Sequence, residues 1–185
     1  NNTRDIIQSQ TQGTQAILDK LCQLELDGVK AQVEAKNDKI LDLQKIDNIT
    51  LEIAKVLANV VEAKAKEIGV NAVVAVANEG GNIVAVECMD DSYIASYDIA
   101  VNKAFTCASL KMSTSTLKAL AQPGCELYGI QFTNNGRIVI FGGGEPLYVD
   151  DKIIGALGVS GGTAEQDTYL GAYGKNILKE VIACK

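Results

Sequence analysis

Histidine and tryptophan are both absent from the 185 residues of this chain. Without an imidazole there is no Ser-His-Asp or Cys-His pair and no His-bound metal. A haem held by a proximal histidine is excluded as well, leaving Cys, Met or Tyr as axial ligands from the protein. Runs of Lys and Arg are missing and the net charge is −6, so neither nucleic acid nor an anionic membrane is an expected partner. No apolar stretch approaches a transmembrane span. The chain opens on Asn-Asn-Thr-Arg, with neither Met nor the apolar core of a signal peptide. A trimmed or artificially set start and a cytoplasmic location are the expectations. The five cysteines, Cys22, Cys88, Cys107, Cys125 and Cys184, are odd in number, widely spaced and never in C-x-x-C. They read as reduced thiols rather than a disulfide frame or a zinc site, and no metal centre is expected.

What is present is an ordinary globular balance, 47% hydrophobic and 22% charged residues, in a length that suits one domain with an appendage. Residues 3–24 place Ile6, Ile7, Ile17, Leu18, Leu21 and Leu24 on one stripe, an amphipathic helix. Asp27-Gly28 interrupts it, and a more charged helical stretch follows over 29–45. Residues 1–47 are therefore expected to be a helical extension, and 48–185 the folded domain. In that domain Thr50 caps a helix to about Ile68, with Gly69 as its stop and Leu51, Ala54, Leu57, Ala58, Val61 and Ala65 on its buried face. Strands over 72–77 and 83–88 flank the turn Asn78-Glu79-Gly80-Gly81-Asn82. A helix over 96–110 comes next, then a short one capped by Ser113 or Thr114. Residues 127–132 read as weakly extended, 138–141 as a strand, and 147–149 with 153–159 as a hairpin. A last helix covers about 164–183. Hairpins rather than β-α-β crossovers predict an antiparallel sheet with packed helices, an α+β fold.

The densest signal is 142–167, where Gly142, Gly143 and Gly144 precede Pro146 and Gly158-Val159-Ser160-Gly161-Gly162 leads into Thr163. Thr163 with Gln166 three residues on is a capping-box signature. A helix N-terminus behind a glycine turn suits an anion, so the Gly161, Gly162 and Thr163 N–H groups are candidates to bind a carboxylate, phosphate or propionate. The competing reading is that these glycines only permit close packing of sheet and helix. Gly155, Gly158 and Gly161 do not form a dinucleotide fingerprint, which needs G-x-G-x-x-G in a parallel β-α-β unit. Lys103 is the one basic residue in an otherwise apolar helical stretch; it salt-bridges Asp90 or Asp98, or meets an anionic ligand. Asp90 anchors the chain entering that helix or faces a ligand, and neither Asp90-Asp91 nor Asp150-Asp151 has calcium-loop spacing. Cys88 and Cys107 read as buried structural thiols, and Tyr93 with Tyr97 as pocket or core residues.

Several dispersed motifs carry a family resemblance. GG-x-P, a turn and then G-x-x-GVSGG-x-x-x-QD is similar to the C-terminal signature of the GlcG/HbpS/PduO C-terminal domain family. Asn78 to Ile83 resembles its D-x-G-G-x-L turn, Cys88-Met89-Asp90 its R-M-D, and Ile99-Ala100 with Lys103-Ala104 its I-A-x-x-K-A helix. Cys88 stands where the family usually has Arg. The resemblance spans about 49–174 and implies a profilin-like, GlcG-like sheet. It also implies a cytosolic homo-oligomer that binds a small ligand, a tetrapyrrole such as haem or a corrinoid (cobalamin); the residues read above as candidates to hold it are Lys103, Gly161, Gly162, Thr163 and Asp90. His ligation of haem, the mode expected of the family's haem-binding members, does not carry over.

Some relatives are encoded with propanediol-utilisation microcompartments. Residues 3–24 are accordingly read as an oligomerisation helix, a hairpin on their own domain, or a targeting helix for a shell or enzyme in the microcompartment lumen. The adenosyltransferase bundle of full PduO proteins needs far more than 47 residues. The alternatives to a binding domain are an enzyme of small-molecule metabolism using Lys103 or a carboxylate as acid/base, and a purely structural accessory subunit. No catalytic nucleophile–base pair can be named.

Overall fold

A computed structural model describes Lys20, Gln23, Leu24, 27–35 and 47–183. The chain divides into two units, 1–44 and 45–185. In the first, 27–35 is helical: the charged helix expected from 29 is there at its start, but Asp27 and Gly28, expected as a break, are themselves helical. Of the amphipathic helix expected over 3–24, Lys20, Gln23 and Leu24 are described and helical, and the rest lies outside the described residues.

The second unit begins with α1 (Leu51–Glu67), whose N-cap Thr50 accepts a hydrogen bond from the Ile53 N–H at 3.2 Å. Its buried residues are Ile53, Ala54, Leu57, Ala58, Val61 and Ala65. Leu51, expected on that face, is half exposed, because it lies in the first turn at the edge of a stripe centred on Leu57 and Val61.

Strands β1 (Val73–Asn78) and β2 (Ile83–Cys88) pair antiparallel. Asn78 Oδ1 closes their turn by accepting from the Gly80 and Asn82 N–H groups, each at 3.0 Å, while Gly81 takes the left-handed φ of +76°. Next come α2 (Ile94–Leu110) and the short α3 (Thr114–Leu120), capped by Ser113. Strands β3 (Gly144–Val149) and β4 (Lys152–Ser160) complete a single antiparallel sheet of order β2-β1-β4-β3, and α4 (Ala164–Ala183) closes the chain.

Alternation along the strands assigns the two faces. Val73, Ala75 and Ala77 of β1 pack with Ala100 and Ala104 of α2. On β4, Gly158 faces α2 so closely that a Cβ there would collide with the Ala100 carbonyl oxygen, whereas its neighbour Leu157 meets Gly174 of α4. Helix α2 therefore covers one face and α1 with α4 the other, which buries β1 on both sides and explains its unbroken apolar run.

The α+β antiparallel architecture is as expected, with two local corrections. Residues 138–141 are not a strand: Ile138 and Val139 are buried, but the Val139 N–H donates to Thr106 Oγ1 of α2 at 3.0 Å instead of joining a ladder. The fourth strand is β3, which starts at Gly144 and takes in the glycine-proline segment. Residues 127–132 are not extended either; the chain turns through Gly129 (φ +91°) into a 3-10 turn, Ile130–Phe132.

Candidate functional site

Where β4 ends, the backbone swings through Ser160, Gly161 and Gly162 to the start of α4. Gly161 has φ +156°, and a Cβ on it would press on the backbone of Asn71 and Ala72. The expected capping box is formed. Gln166 N–H donates to Thr163 Oγ1 at 3.2 Å, and Thr163 N–H donates to Gln166 Oε1 at 2.9 Å.

Beneath this turn lies a buried ion pair. Lys103, at 0% exposure, donates from Nζ to Asp167 Oδ2 at 2.7 Å and to the Val159 carbonyl oxygen at 2.6 Å. Asp167, at 4% exposure, accepts from the Gly162 N–H at 2.9 Å on its other oxygen. The Phe141 ring lies 5.0 Å from Lys103 Nζ. Burial pushes the lysine pKa below its ordinary range, and the Asp167 carboxylate opposes that shift. Gly143 makes the arrangement possible: it adopts φ +112°, and a Cβ would meet Val159 O, Lys103 Nζ and Asp167 Cβ at 2.6–2.8 Å.

Two depressions open on this turn. One, of about 250 Å³, includes Tyr93, Ser96, Ile99, Phe141, Ser160 and Asp167 in its lining. The other, of about 430 Å³, reaches from Tyr93 past Asp91 and Asn71 to Thr163 and Gln166. They share Tyr93, Gly161 and Gly162 and so make one cleft. Its walls are aromatic at Tyr93 and Phe141, and its floor is hydroxylic, with Ser160 Oγ hydrogen-bonded to Ser96 Oγ at 3.2 Å.

Four of the sequence-predicted site residues, Lys103, Gly161, Gly162 and Thr163, come together here. Asp90 does not join them; it is exposed and lines an adjoining depression of about 310 Å³ with Glu62, Lys66 and Cys88, which meets the cleft at Asn71 and Asp91. The partner of Lys103 is neither Asp90 nor Asp98 but Asp167. That aspartate ends the glycine signature, and its position in the sequence alone assigns it no role. The available signal was a lysine amid apolar residues, since a cation buried there needs a buried carboxylate. The predicted anion donors at Gly162 and Thr163 already serve Asp167 and Gln166.

The thiols divide. Cys107 is buried, and desolvation pushes its pKa up to about 12, so it is a neutral thiol. Cys88, expected to be buried, is exposed, because it ends the edge strand β2. Met89 Sδ accepts from the Ala72 N–H at 3.2 Å. Among the described residues no three Cys, Asp or Glu side chains converge as a metal site, and no helix is long and apolar enough to cross a membrane.

A family model described as Haem degrading protein HbpS-like matches residues 49–174. A 15.0 kDa protein from the dhaT-dhaS intergenic region of Citrobacter freundii is 51% identical over 127 residues, covering 69% of this chain and 89% of the relative. The crystal structure of Klebsiella pneumoniae protein ORFY aligns with a TM-score of 0.70 at 44% identity, covering 72% of this chain and 92% of that one. A crystal structure of a PduOC:heme complex aligns with a TM-score of 0.67 at 31% identity, covering 70% and 94%.

Proposed function

Because the chain belongs to the HbpS-like family, we propose that its second unit is a small-ligand-binding domain whose cleft, at the 160–163 turn, takes a planar tetrapyrrole, haem or a corrinoid. The observation that carries this reading is the cleft itself, with Tyr93 and Phe141 as aromatic walls, on a fold shared with a haem-bound PduOC structure.

The residues present fit the macrocycle better than the usual iron ligands. Tyr93 and Phe141 offer ring surface, and Tyr93 alone of the cleft lining carries a phenol that an iron can accept as axial donor. Cys107 is sealed as a thiol, and Met89 is turned onto the Ala72 backbone. A bound haem would supply redox-active iron; the chain's own residues hold the ring and shield one face from water.

Catalysis through Lys103 as acid or base finds no support in the geometry, since its ammonium is fully buried and held by Val159 and Asp167. Tyr93, Ile94 and Tyr97 expose apolar surface at the start of α2, Ile94 at 98%, which supports self-association. A cytosolic or microcompartment setting is part of the same proposal and rests on the family resemblance.

Titration with haem and with cobalamin, followed by absorbance, tests the reading. A saturable shift of the Soret or corrin bands is expected, with a haem spectrum unlike that of bis-imidazole iron. No saturable change with either tetrapyrrole would reject the proposal in favour of a structural accessory role. A low-spin six-coordinate haem that survives Cys→Ala and Met→Leu changes and Tyr93→Phe would reject the ligand inventory.

A further inference from the structure

The cleft lacks a free positive group for an acidic ligand. Lys103 Nζ is divided between Val159 and Asp167, the Gly162 N–H serves Asp167, and the Thr163 N–H serves Gln166. The ionisable side chains that line the cleft besides Tyr93 are Asp91 and Asp167, both acids.

An unengaged cation stands one step along the same turn. Across Ala164, and across the backbone between Phe141 and Gly142, lies a further depression of about 390 Å³. It is lined by Lys118 and Ser115 of α3, by Gly142, and by Glu165, Thr168 and Tyr169 of α4. Lys118 is exposed and makes none of the ion pairs found among the described residues. Thr168 spends its hydroxyl proton on the Ala164 carbonyl oxygen at 2.6 Å. With that proton spent, the Ser115 hydroxyl is the donor in the 3.4 Å contact to Thr168 Oγ1, a long bond that it can exchange for a shorter one to a ligand. The backbone also makes room, since a Cβ on Gly142 would strike the Ser115 and Thr168 hydroxyls. Glu165 on the same rim opposes an anion.

We propose that this depression is the anion subsite of the cleft. Lys118 supplies the charge and Ser115 the hydrogen bond for a carboxylate arm of a ligand whose ring lies between Tyr93 and Phe141. The assignment rests on the cleft being a ligand site, and it moves the anionic contact from the glycine turn to α3.

Haem and its dimethyl ester, which lacks the two negative charges, separate the contributions when titrated into the full chain and into Lys118→Met and Glu165→Gln. Lys118→Met is expected to weaken haem by about two- to fivefold, the scale of one solvent-exposed charge pair, and to leave the ester unchanged. Glu165→Gln is expected to tighten haem and not the ester. Haem bound equally by the full chain and Lys118→Met overturns the subsite while leaving the cleft reading intact. If neither haem nor ester binds, the tetrapyrrole reading fails, and the subsite is decided with propionate alone, followed through the backbone amides of Ser115, Gly142 and Thr168. Shifts that saturate and vanish in Lys118→Met uphold the subsite; their absence overturns it.

Discussion

Asp167→Asn removes one charge from the buried pair and leaves the side chain's size and an acceptor for the Gly162 N–H in place. Lys103 is fully buried and Asp167 nearly so, which means that solvent cannot replace the lost carboxylate. An ammonium left with Val159 O and the Phe141 ring but no counter-charge is an uncompensated buried charge, and breaking such a pair costs about 3–5 kcal/mol. The pH dependence has a definite sign. Burial holds the folded-state pKa of Lys103 below its ordinary value of 10.5, so between the two values the unfolded chain binds more protons and stability rises with pH. Loss of Asp167 removes the attraction that opposed this shift, so the variant begins to gain stability at lower pH than the wild type. The deficit should be largest near neutrality and shrink toward about pH 9.5, where more of the folded variant holds a neutral lysine. Urea unfolding at both pH values measures it. Lys103→Met with Asp167→Leu should recover at least half the loss, because an apolar pair needs no compensation and the exposed Gly162 N–H can turn to water. A deficit under about 1 kcal/mol at neutral pH, or one that grows with pH, would refute the buried-pair reasoning.

Gly158→Ala should be at or beyond the top of the ~1–3 kcal/mol range of overpacking, because its Cβ would meet the Ala100 backbone and neither main chain can swing aside; thermal melts by circular dichroism check this. Cys107 should resist thiol reagents in the native protein at moderately alkaline pH, since its pKa is pushed up to about 12, while exposed Cys88 and Cys125 react. Peptide mapping after brief alkylation, with and without denaturant, distinguishes them. Removal of residues 1–44 should leave the second unit folded, because its sheet and both helical layers are complete within 47–183; loss of a cooperative melt would count the extension as part of the core.

Most of the fold was legible because its signals are local. Thr50, Ser113 and Thr163 each cap the helix expected of them, and the Asn78 turn closes through its own side chain. The failures occur where tertiary partners decide. Ile138, Val139 and Ile140 have the β-branched composition of a strand, yet the Val139 N–H is satisfied by a threonine hydroxyl on α2, a choice that no window of neighbouring residues encodes. The edge status of β2, which exposes Cys88, depends on β4 lying on the other side of β1.

At the site, the glycines were readable as geometry, but whether the amides behind them stay open was not. A helix N-terminus attracts an anion only while its N–H groups lack internal acceptors. Here Gln166 and Asp167, within five residues of the turn, both reach back to it. Asp167 can do so without an excess of buried negative charge because Lys103, 64 residues away in sequence, neutralises it from the opposite face of the turn. The lysine and the glycine turn are thus one device: the cation holds the carboxylate, the carboxylate holds the turn, and the turn shapes the cleft. A group that works in this way cannot also be the ligand's counter-ion. That is the physical reason to seek the ligand's positive partner at Lys118, where a charge remains unspent.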